Sequence, residues 1–168
     1  MRRILLESLL RRSLSETPPA PDEAQLKALG ARLDAAARRR LGRSLSIREV
    51  DAGSCNGCEL EIHALNNAIY NLERYGIRFV ASPRHADVLL VTGPVTRNMR
   101  EALERTWAAT PDPKWVVAVG DCAVDGGLFA GSYACAGGVS EVVPVDLHIR
   151  GCPPRPPPPP AGGGGRAP

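Results

Sequence analysis

From residue 45 onward, short apolar runs alternate with stretches of helical spacing. The runs cover residues 45–50, 77–81, 88–91, 115–119 and 142–149. After the first run, Ile62, Leu65, Ile69 and Leu72 recur at three- and four-residue steps, which predicts a helix over residues 58–75. A second helix is predicted from Thr96, a plausible N-cap, to about Ala109, before two prolines end it.

Strands that alternate with helices predict an α/β domain. The expected architecture is a doubly wound, mostly parallel sheet of flavodoxin-like type. The wholly apolar runs at 88–91 and 115–119 are typical of strands that are buried on both faces. A length of 168 residues suits one domain with a proper core.

The two ends of the chain differ from this α/β pattern, so the sequence predicts three regions. Residues 1–43 form a basic helical arm, with ten Lys or Arg against five Asp or Glu, whereas the remaining residues carry 11 against 13. Helical spacing in the arm covers residues 4–10 and 22–41, on either side of a proline-rich break. Residues 44–156 are the α/β domain, and residues 157–168 are an irregular Pro/Gly tail.

The basic arm has several possible roles. Its first segment places Ile4, Leu5, Leu9 and Leu10 on one side of a short helix, which suits an anionic membrane surface, a partner subunit or a solvated face equally. Nucleic acid is not expected as a partner, because no aromatic residues accompany the basic ones. No secretory signal and no apolar run of transmembrane length are visible, so we expect a reducing cytoplasm.

Two of the five cysteines, Cys55 and Cys58, lie at the first strand-to-helix turn. We expect the helix N-terminus to stabilise thiolate over thiol there. A Cys-x-x-Cys pair alone fits a thioredoxin-like redox pair, half of a zinc site, half of an iron–sulfur site or two structural cysteines. The pair therefore indicates a site for sulfur chemistry without identifying it.

Further cysteines follow two later strands. Cys122 and Cys152 each come after an apolar run and next to a glycine. Because the carboxyl ends of parallel strands lie on one edge of a sheet, we expect these two to converge with Cys55 and Cys58. Cys135 lies in a glycine-rich loop without that placement and is interpreted as a spare, small apolar residue.

Four thiolates suit either tetrahedral zinc or a [4Fe–4S] cluster. Here a close pair is joined by single cysteines 64 and 94 residues after Cys58. Ligands gathered in this way at the edge of a sheet favour the cluster, although a zinc-stabilised interaction module remains possible. No G-x-G-x-x-G fingerprint follows a strand, so nucleotide or flavin binding is not expected.

Four motifs in residues 45–156 carry a family resemblance. They are Gly-Ser-Cys55-Asn-Gly-Cys58-Glu-Leu-Glu61, Thr92-Gly-Pro-Val-Thr96, Gly120-Asp-Cys122-Ala and Gly151-Cys152-Pro-Pro-Arg155-Pro. The chain resembles the 20-kDa iron–sulfur subunit shared by complex I and [NiFe] hydrogenases. The spaced cysteine pair is similar to small subunits of membrane-bound, formate hydrogenlyase-type hydrogenases, since complex I relatives generally carry two adjacent cysteines.

The resemblance implies a non-catalytic electron-transfer subunit of an oxidoreductase. Cys55, Cys58, Cys122 and Cys152 would hold one [4Fe–4S] cluster between a [NiFe]-hydrogenase-like large subunit and ferredoxin-like subunits. Membrane-anchor subunits would place the complex on the inner, cytoplasmic face of the cell membrane. The alternative is the complex I subunit that passes electrons to quinone.

The resemblance also assigns roles to individual segments. Glu61 occupies the position of a family glutamate that faces the large subunit, which implies proton passage, whereas Glu59 is interpreted as a favourable charge at a helix N-terminus. The glycine-rich segment 120–140 is expected to be an irregular loop that packs against the large subunit. After Arg155 the chain departs from the family, because polyproline replaces a leucine-rich helix.

Overall fold

A computed structural model describes residues 23–67 and 70–154 of the chain. The predicted first helix of the arm and the Pro/Gly tail lie outside the described residues. The division into three regions therefore stays a prediction. The second predicted helix of the arm is present as α1, Glu23–Leu41.

The central sheet has five parallel strands in the described part of the chain. They are β1 (Leu45–Asp51), β2 (Ile77–Phe79), β3 (Val88–Thr92), β5 (Trp115–Val119) and β7 (Leu147–Ile149). Their order is β2-β1-β3-β5-β7, so the chain winds outward from β1 in both directions. This confirms the predicted doubly wound, flavodoxin-like architecture.

A second, two-stranded sheet and three further helices complete the architecture. The strands β4 (Val95–Thr96) and β6 (Cys135–Gly137) pair antiparallel. The helices are α2 (Gly57–Ala64), α3 (Arg97–Ala109) and α4 (Asp121–Asp125). None of the helices in residues 23–67 and 70–154 has the length and apolarity needed to cross a membrane.

The core lies on the sheet face that α3 covers. Val91 and Ala118, neighbours in register on β3 and β5, are fully buried together with Leu103 of α3. These strands form where the sequence shows short, wholly apolar runs, as expected for the centre of a parallel sheet. The core therefore fixes β1, β3 and β5 side by side.

The helix after Cys58 is shorter than predicted. The spacing of apolar residues suggests a helix to Tyr75, but α2 ends at Ala64 and a separate 3₁₀ turn covers Leu72–Tyr75. Asparagines cause the break: the Asn67 side chain accepts a hydrogen bond from the Tyr70 backbone N–H, and Asn71 takes a positive φ. Such local hydrogen bonds compete with helix propagation.

Two other predictions on local structure need correction. The segment 120–140 is not an irregular loop, because it contains α4, a 3₁₀ turn at Gly127–Phe129 and β6. The apolar run at 142–149 gives a strand only at Leu147–Ile149, after Pro144. Thr96 precedes α3 as expected, but its hydroxyl donates to the Ala52 carbonyl instead of capping the helix.

Candidate metal centre

Four of the five cysteines surround one cavity at the carboxyl edge of the sheet. Cys55 and Cys58 follow β1, Cys122 lies in the first turn of α4 after β5, and Cys152 follows β7. The cavity has a volume of about 50 Å³. Its lining consists of these four cysteines with Ser54, Gly57, Gly93, Asp121, Gly151 and Pro153. The structure thus brings together the four cysteines that the sequence places at strand ends.

Cys135 is outside this cavity. It lies in β6, where it pairs with Thr96 across the small antiparallel sheet. All five cysteines are free thiols in the described chain. The arrangement therefore separates a set of four thiols from a single one.

The turn that carries Cys55 is held by short polar contacts. The Asp51 carboxylate accepts hydrogen bonds from the backbone N–H groups of Gly53 and Ser54, both at 2.7 Å. The Ser54 hydroxyl then accepts one from the Asn56 N–H at 3.0 Å. These contacts fix the backbone between β1 and α2, from which both Cys55 and Cys58 line the cavity.

Two glycines make room for sulfur atoms. Gly120 has φ 91° and ψ 152°, a region that is essentially restricted to glycine, and a Cβ there would lie 2.7 Å from Cys58 Sγ. A Cβ at Gly127, which has φ 48°, would lie 3.0 Å from Cys122 Sγ. Side chains at either position would therefore displace the cysteines.

Burial makes two of the thiols weak acids. The pKa of Cys58 is raised to about 11, first by burial and then by the charges of Glu59 and the other three cysteines of the cavity. Burial also raises the pKa of Cys122, although a hydrogen bond from the Leu128 backbone N–H opposes this. Contrary to the expectation of a stabilised thiolate at this turn, the pKa of Cys58 is raised, because burial and neighbouring negative charges oppose the thiolate.

These pKa values bear on the kind of chemistry. Cys58, the second and more buried cysteine of the pair, resists ionisation without a cation nearby. A bound metal would reverse this balance, because a coordinated thiol is deprotonated outright. A metal bound in the cavity would therefore offset the cost of ionising Cys58.

The spacing of the potential metal ligands also bears on the kind of metal centre. Among the described residues, no three His, Cys, Asp or Glu side chains are close enough to hold one metal ion. The thiols instead stand around a cavity of about 50 Å³, several times the roughly 10–15 Å³ that one water molecule needs. Donors at the periphery of such a space fit a polynuclear cluster, in which each iron takes one thiolate.

Glu59 is a buried carboxylate, whereas its place in the sequence suggests only a favourable charge at a helix N-terminus. It is only 6% exposed, and neither carboxylate oxygen has a hydrogen-bond partner within the described chain. Its spacing from Ile62 carries a signal, since residues three apart share a helix face and Ile62 is also buried. Glu61 is out of phase with Ile62 and is exposed. Its role in proton passage stays a prediction.

Comparison with known proteins identifies the family. Residues 55–158 match the family described as the NADH ubiquinone oxidoreductase 20 kDa subunit. The chain belongs to this family. The matched residues include all four cysteines of the cavity, and the family is that of the resemblance carried by the cysteine motifs.

Three relatives of the family are similar to this chain over much of its length. Subunit 7 of Escherichia coli formate hydrogenlyase is 47% identical over 126 residues, covering 75% of this chain and 49% of the relative. A probable membrane-bound hydrogenase subunit of Pyrococcus furiosus is 47% identical over 116 residues, covering 69% and 70%. One subunit of the F(420)H(2) dehydrogenase from Methanosarcina mazei is 48% identical over 99 residues, covering 59% and 54%. The chain spans about half the length of the E. coli relative.

Solved structures agree with the architecture. A chain of the membrane-bound sulfane sulfur reductase, an archaeal respiratory membrane complex, superimposes with a TM-score of 0.60 at 36% identity, covering 73% of this chain and 65% of that one. A chain of an NAD+-reducing [NiFe]-hydrogenase gives 0.53 at 22% identity, covering 67% and 84%. The second likeness supports the fold alone.

Proposed function

We propose that this chain is the iron–sulfur subunit of a membrane-associated oxidoreductase complex of the [NiFe]-hydrogenase type. One observation carries the proposal: four cysteines from three strand ends surround a single cavity in a member of the 20 kDa subunit family. Cys55, Cys58, Cys122 and Cys152 would hold a [4Fe–4S] cluster. Such a cluster supplies one-electron transfer.

The residues around the cavity give the centre its properties. The Leu128 N–H hydrogen bond to Cys122 and the glycine-lined walls let the backbone approach the sulfur atoms closely. Glu59 adds a buried carboxylate next to Cys58. Hydrogen bonds, charge and burial are what tune the potential of an iron–sulfur centre.

Exposed apolar side chains in the segment after Cys122 support a partner for this part of the molecule. Leu128 is 90% exposed and Tyr133 is 89% exposed, and both lie in the segment that follows Cys122. Exposed apolar side chains that cluster beside a functional site are typical of interaction surfaces. A [NiFe]-hydrogenase-like large subunit is the proposed occupant. Ferredoxin-like and membrane-anchor subunits would complete a complex on the cytoplasmic face of the membrane.

The second candidate is a subunit that passes electrons to quinone, as the family description suggests. The similarity to a subunit of the F(420)H(2) dehydrogenase favours this second candidate. The spaced Cys55 and Cys58, together with the hydrogenase relatives, favour the first candidate. Co-purification of the tagged chain from its native cells separates the two, because a nickel-containing partner is expected only for the hydrogenase type.

Anaerobic purification tests the centre itself. We expect a brown chain with about four iron and four sulfide per molecule and an EPR signal at low temperature after reduction with dithionite. A colourless protein that holds one zinc and no iron would replace this proposal with a zinc-stabilised interaction module.

A further inference from the structure

The segment that carries Cys152 is attached to the rest of the domain at one place. It follows β7, a three-residue strand at the edge of the sheet, and Cys152 itself is exposed. Within the described part of the chain, the hydrogen bonds of residues 150–154 all go to residues of α4. The position of the Cys152 thiol therefore depends on contacts with α4.

The closest of these contacts join Asp121 to Gly151. The Asp121 backbone N–H donates to the Gly151 carbonyl at 2.9 Å, and the Asp121 Oδ1 atom accepts a hydrogen bond from the Gly151 N–H at 3.0 Å. One residue thus satisfies both backbone polar groups of Gly151. These two hydrogen bonds are called the Asp121 clasp below.

The Asp121 clasp connects the immediate neighbours of two cysteines. Asp121 precedes Cys122 and Gly151 precedes Cys152, and all four residues line the cavity. Because each cysteine is the next residue in its own segment, bonds between the two preceding residues limit how far apart the thiols can move. The clasp therefore acts on the spacing of Cys122 and Cys152.

The carboxylate is needed because the turn before Cys152 has no other support. Gly151 has φ 136°, and a Cβ there would lie 2.6 Å from the Pro154 Cα. The turn lies beyond the end of β7, so the Gly151 N–H takes no part in the sheet. Without the Asp121 carboxylate, this N–H would lose the acceptor that it has within the described residues.

Two simpler accounts of Asp121 explain less. An acidic residue at the start of a helix interacts favourably with the helix dipole, but α4 has only five residues and the carboxylate bonds to another segment. An ion pair with Arg150 is long, at 4.0 Å, and joins side chains that are 65% and 38% exposed. Exposed ion pairs contribute little to stability. The hydrogen bond to Gly151 is the specific contact.

We propose that Asp121 is a positioning residue for Cys152. Its carboxylate holds the Gly151 turn against the start of α4 and so keeps the Cys152 thiol at the cavity with Cys122. The role of Cys152 as an iron ligand rests on the proposed function, whereas the clasp holds the thiol with or without iron. Loss of the carboxylate releases Cys152 ahead of the other three cysteines.

Alkylation of the full-length, cluster-loaded chain with iodoacetamide tests the proposal. The reaction is run anaerobically, and mass spectrometry follows the labelling rate of each cysteine. In Asp121→Ala we expect Cys152 to be labelled about tenfold faster than in the unmodified chain, while Cys55 keeps its rate. Tenfold corresponds to about 1.4 kcal/mol, which is the size of one side-chain hydrogen bond.

Two further variants separate the hydrogen bond from the charge. Asp121→Asn keeps an oxygen acceptor for the Gly151 N–H and removes the charge, so it should restore slow labelling of Cys152. Arg150→Ala removes the ion pairs and leaves the Asp121 clasp in place, so labelling should also stay slow. Should Asp121→Ala not fold, Asp121→Glu replaces it, because it moves the acceptor by one methylene and keeps the charge.

The matched control is Asp51→Ala at the other exposed cysteine. Asp51 accepts hydrogen bonds from the N–H groups of Gly53 and Ser54 in the turn before Cys55. Its replacement should therefore accelerate labelling of Cys55 and leave Cys152 at its original rate. Opposite responses of the two cysteines in the two variants are not expected from a general loss of stability.

Three results would overturn the proposal. Unchanged labelling of Cys152 in Asp121→Ala means that the backbone bond alone holds the turn. Equal acceleration at Cys55 and Cys152 means that Asp121 stabilises the whole domain. Fast labelling in Asp121→Asn assigns the effect to charge. A chain purified without iron contradicts the proposed function instead, and the same comparison of Cys152 with Cys55 then tests the Asp121 clasp on the iron-free chain.

Discussion

At the scale of single residues, the site consists of four thiols around one cavity, and burial raises the pKa of two of them, Cys58 and Cys122. The pKa of Cys58, raised to about 11, shows how strongly burial and neighbouring charges oppose a bare thiolate. A metal–thiolate bond offsets this cost. Each of the four cysteines should therefore be needed, whereas a cysteine outside the cavity should not.

The cysteine set gives the first prediction. Changing Cys55, Cys58, Cys122 or Cys152 to Ala should remove or severely degrade the iron–sulfur centre, because one iron loses its protein ligand. Cys135→Ala is the control and should keep full iron content, since Cys135 lies in β6. Iron and sulfide analysis with EPR reads the result. Loss of iron from Cys135→Ala combined with retention in Cys152→Ala would contradict the ligand set.

The second prediction concerns charge beside the centre. Glu59→Gln removes a buried carboxylate next to Cys58, which should make reduction easier and raise the midpoint potential. A shift of roughly a few tens of millivolts is expected, given that about 59 mV corresponds to a tenfold change for one electron. An EPR-monitored redox titration measures it. Glu61→Gln is the matched control, because Glu61 is exposed. A larger shift in Glu61→Gln would reverse the assignment.

At the scale of elements, turns decide whether the thiols meet. Gly120 joins β5 to α4 in a backbone conformation that is essentially restricted to glycine, directly against Cys58 Sγ. The strand ends bring the cysteines to one edge of the sheet, and the glycine at position 120 leaves room for the Cys58 sulfur atom. The turn after β5 is therefore as important to the centre as the cysteine that follows it.

Replacement of this glycine is the third prediction. Gly120→Ala should lower the free energy of unfolding by about 1–3 kcal/mol and reduce the iron content, because the new Cβ meets Cys58 Sγ. Gly131→Ala is the control: Gly131 also has a positive φ, of 77°, but a Cβ there meets nothing within 4 Å. Thermal unfolding and iron analysis distinguish the two. Equal iron loss in both variants would mean that backbone strain, not the contact with sulfur, is responsible.

The same scale shows what the sequence can predict. The central strands β3 and β5 follow from short, wholly apolar runs, and the meeting of Cys55, Cys122 and Cys152 follows from the parallel topology. The length of α2 does not, because the apolar spacing continues to Leu72 while Asn67 and Asn71 make local contacts that end the helix. The small β4–β6 sheet is also not evident, since its pairing joins segments about 40 residues apart.

Burial of charge is the other feature that apolar patterns do not reveal. Glu59 resembles an ordinary first-turn acid in the sequence, and only its phase with Ile62 indicates the core-facing side of α2. Glu61 belongs to the same motif and is exposed. The motif thus identifies two carboxylates, and the packing of α2 decides which of them is close to the protein interior.

At the scale of the whole molecule, large apolar residues are exposed in several elements. Leu128 and Tyr133 follow the cysteine cavity, and Leu29 lies on α1, far along the chain. The proposed function requires a partner near the cavity, because electrons must leave the centre over a short distance. The surface beside Cys122 should therefore contribute more to assembly than an equally exposed leucine elsewhere.

Assembly is the fourth prediction. Leu128→Asp/Tyr133→Asp should reduce co-purification of the large subunit at least tenfold, which corresponds to about 1.4 kcal/mol, and leave the iron content of the chain unchanged. Leu29→Asp is the control, since Leu29 is 61% exposed on α1. Pull-down from cells that produce both subunits gives the measurement. An equal loss for Leu29→Asp would show that solubility, not docking, is being measured.

The origin of the four cysteines from three strand ends has a consequence for biogenesis. Cys55 and Cys58 leave the ribosome early, but the set is complete only when β7 has paired with β5 and Cys152 is in position. A nascent or truncated chain can offer at most three of the four thiols. Only a chain that has been translated past residue 152 and folded across its full sheet could retain a cluster delivered by the assembly machinery. Retention of the cluster would thus depend on complete synthesis and folding of the chain.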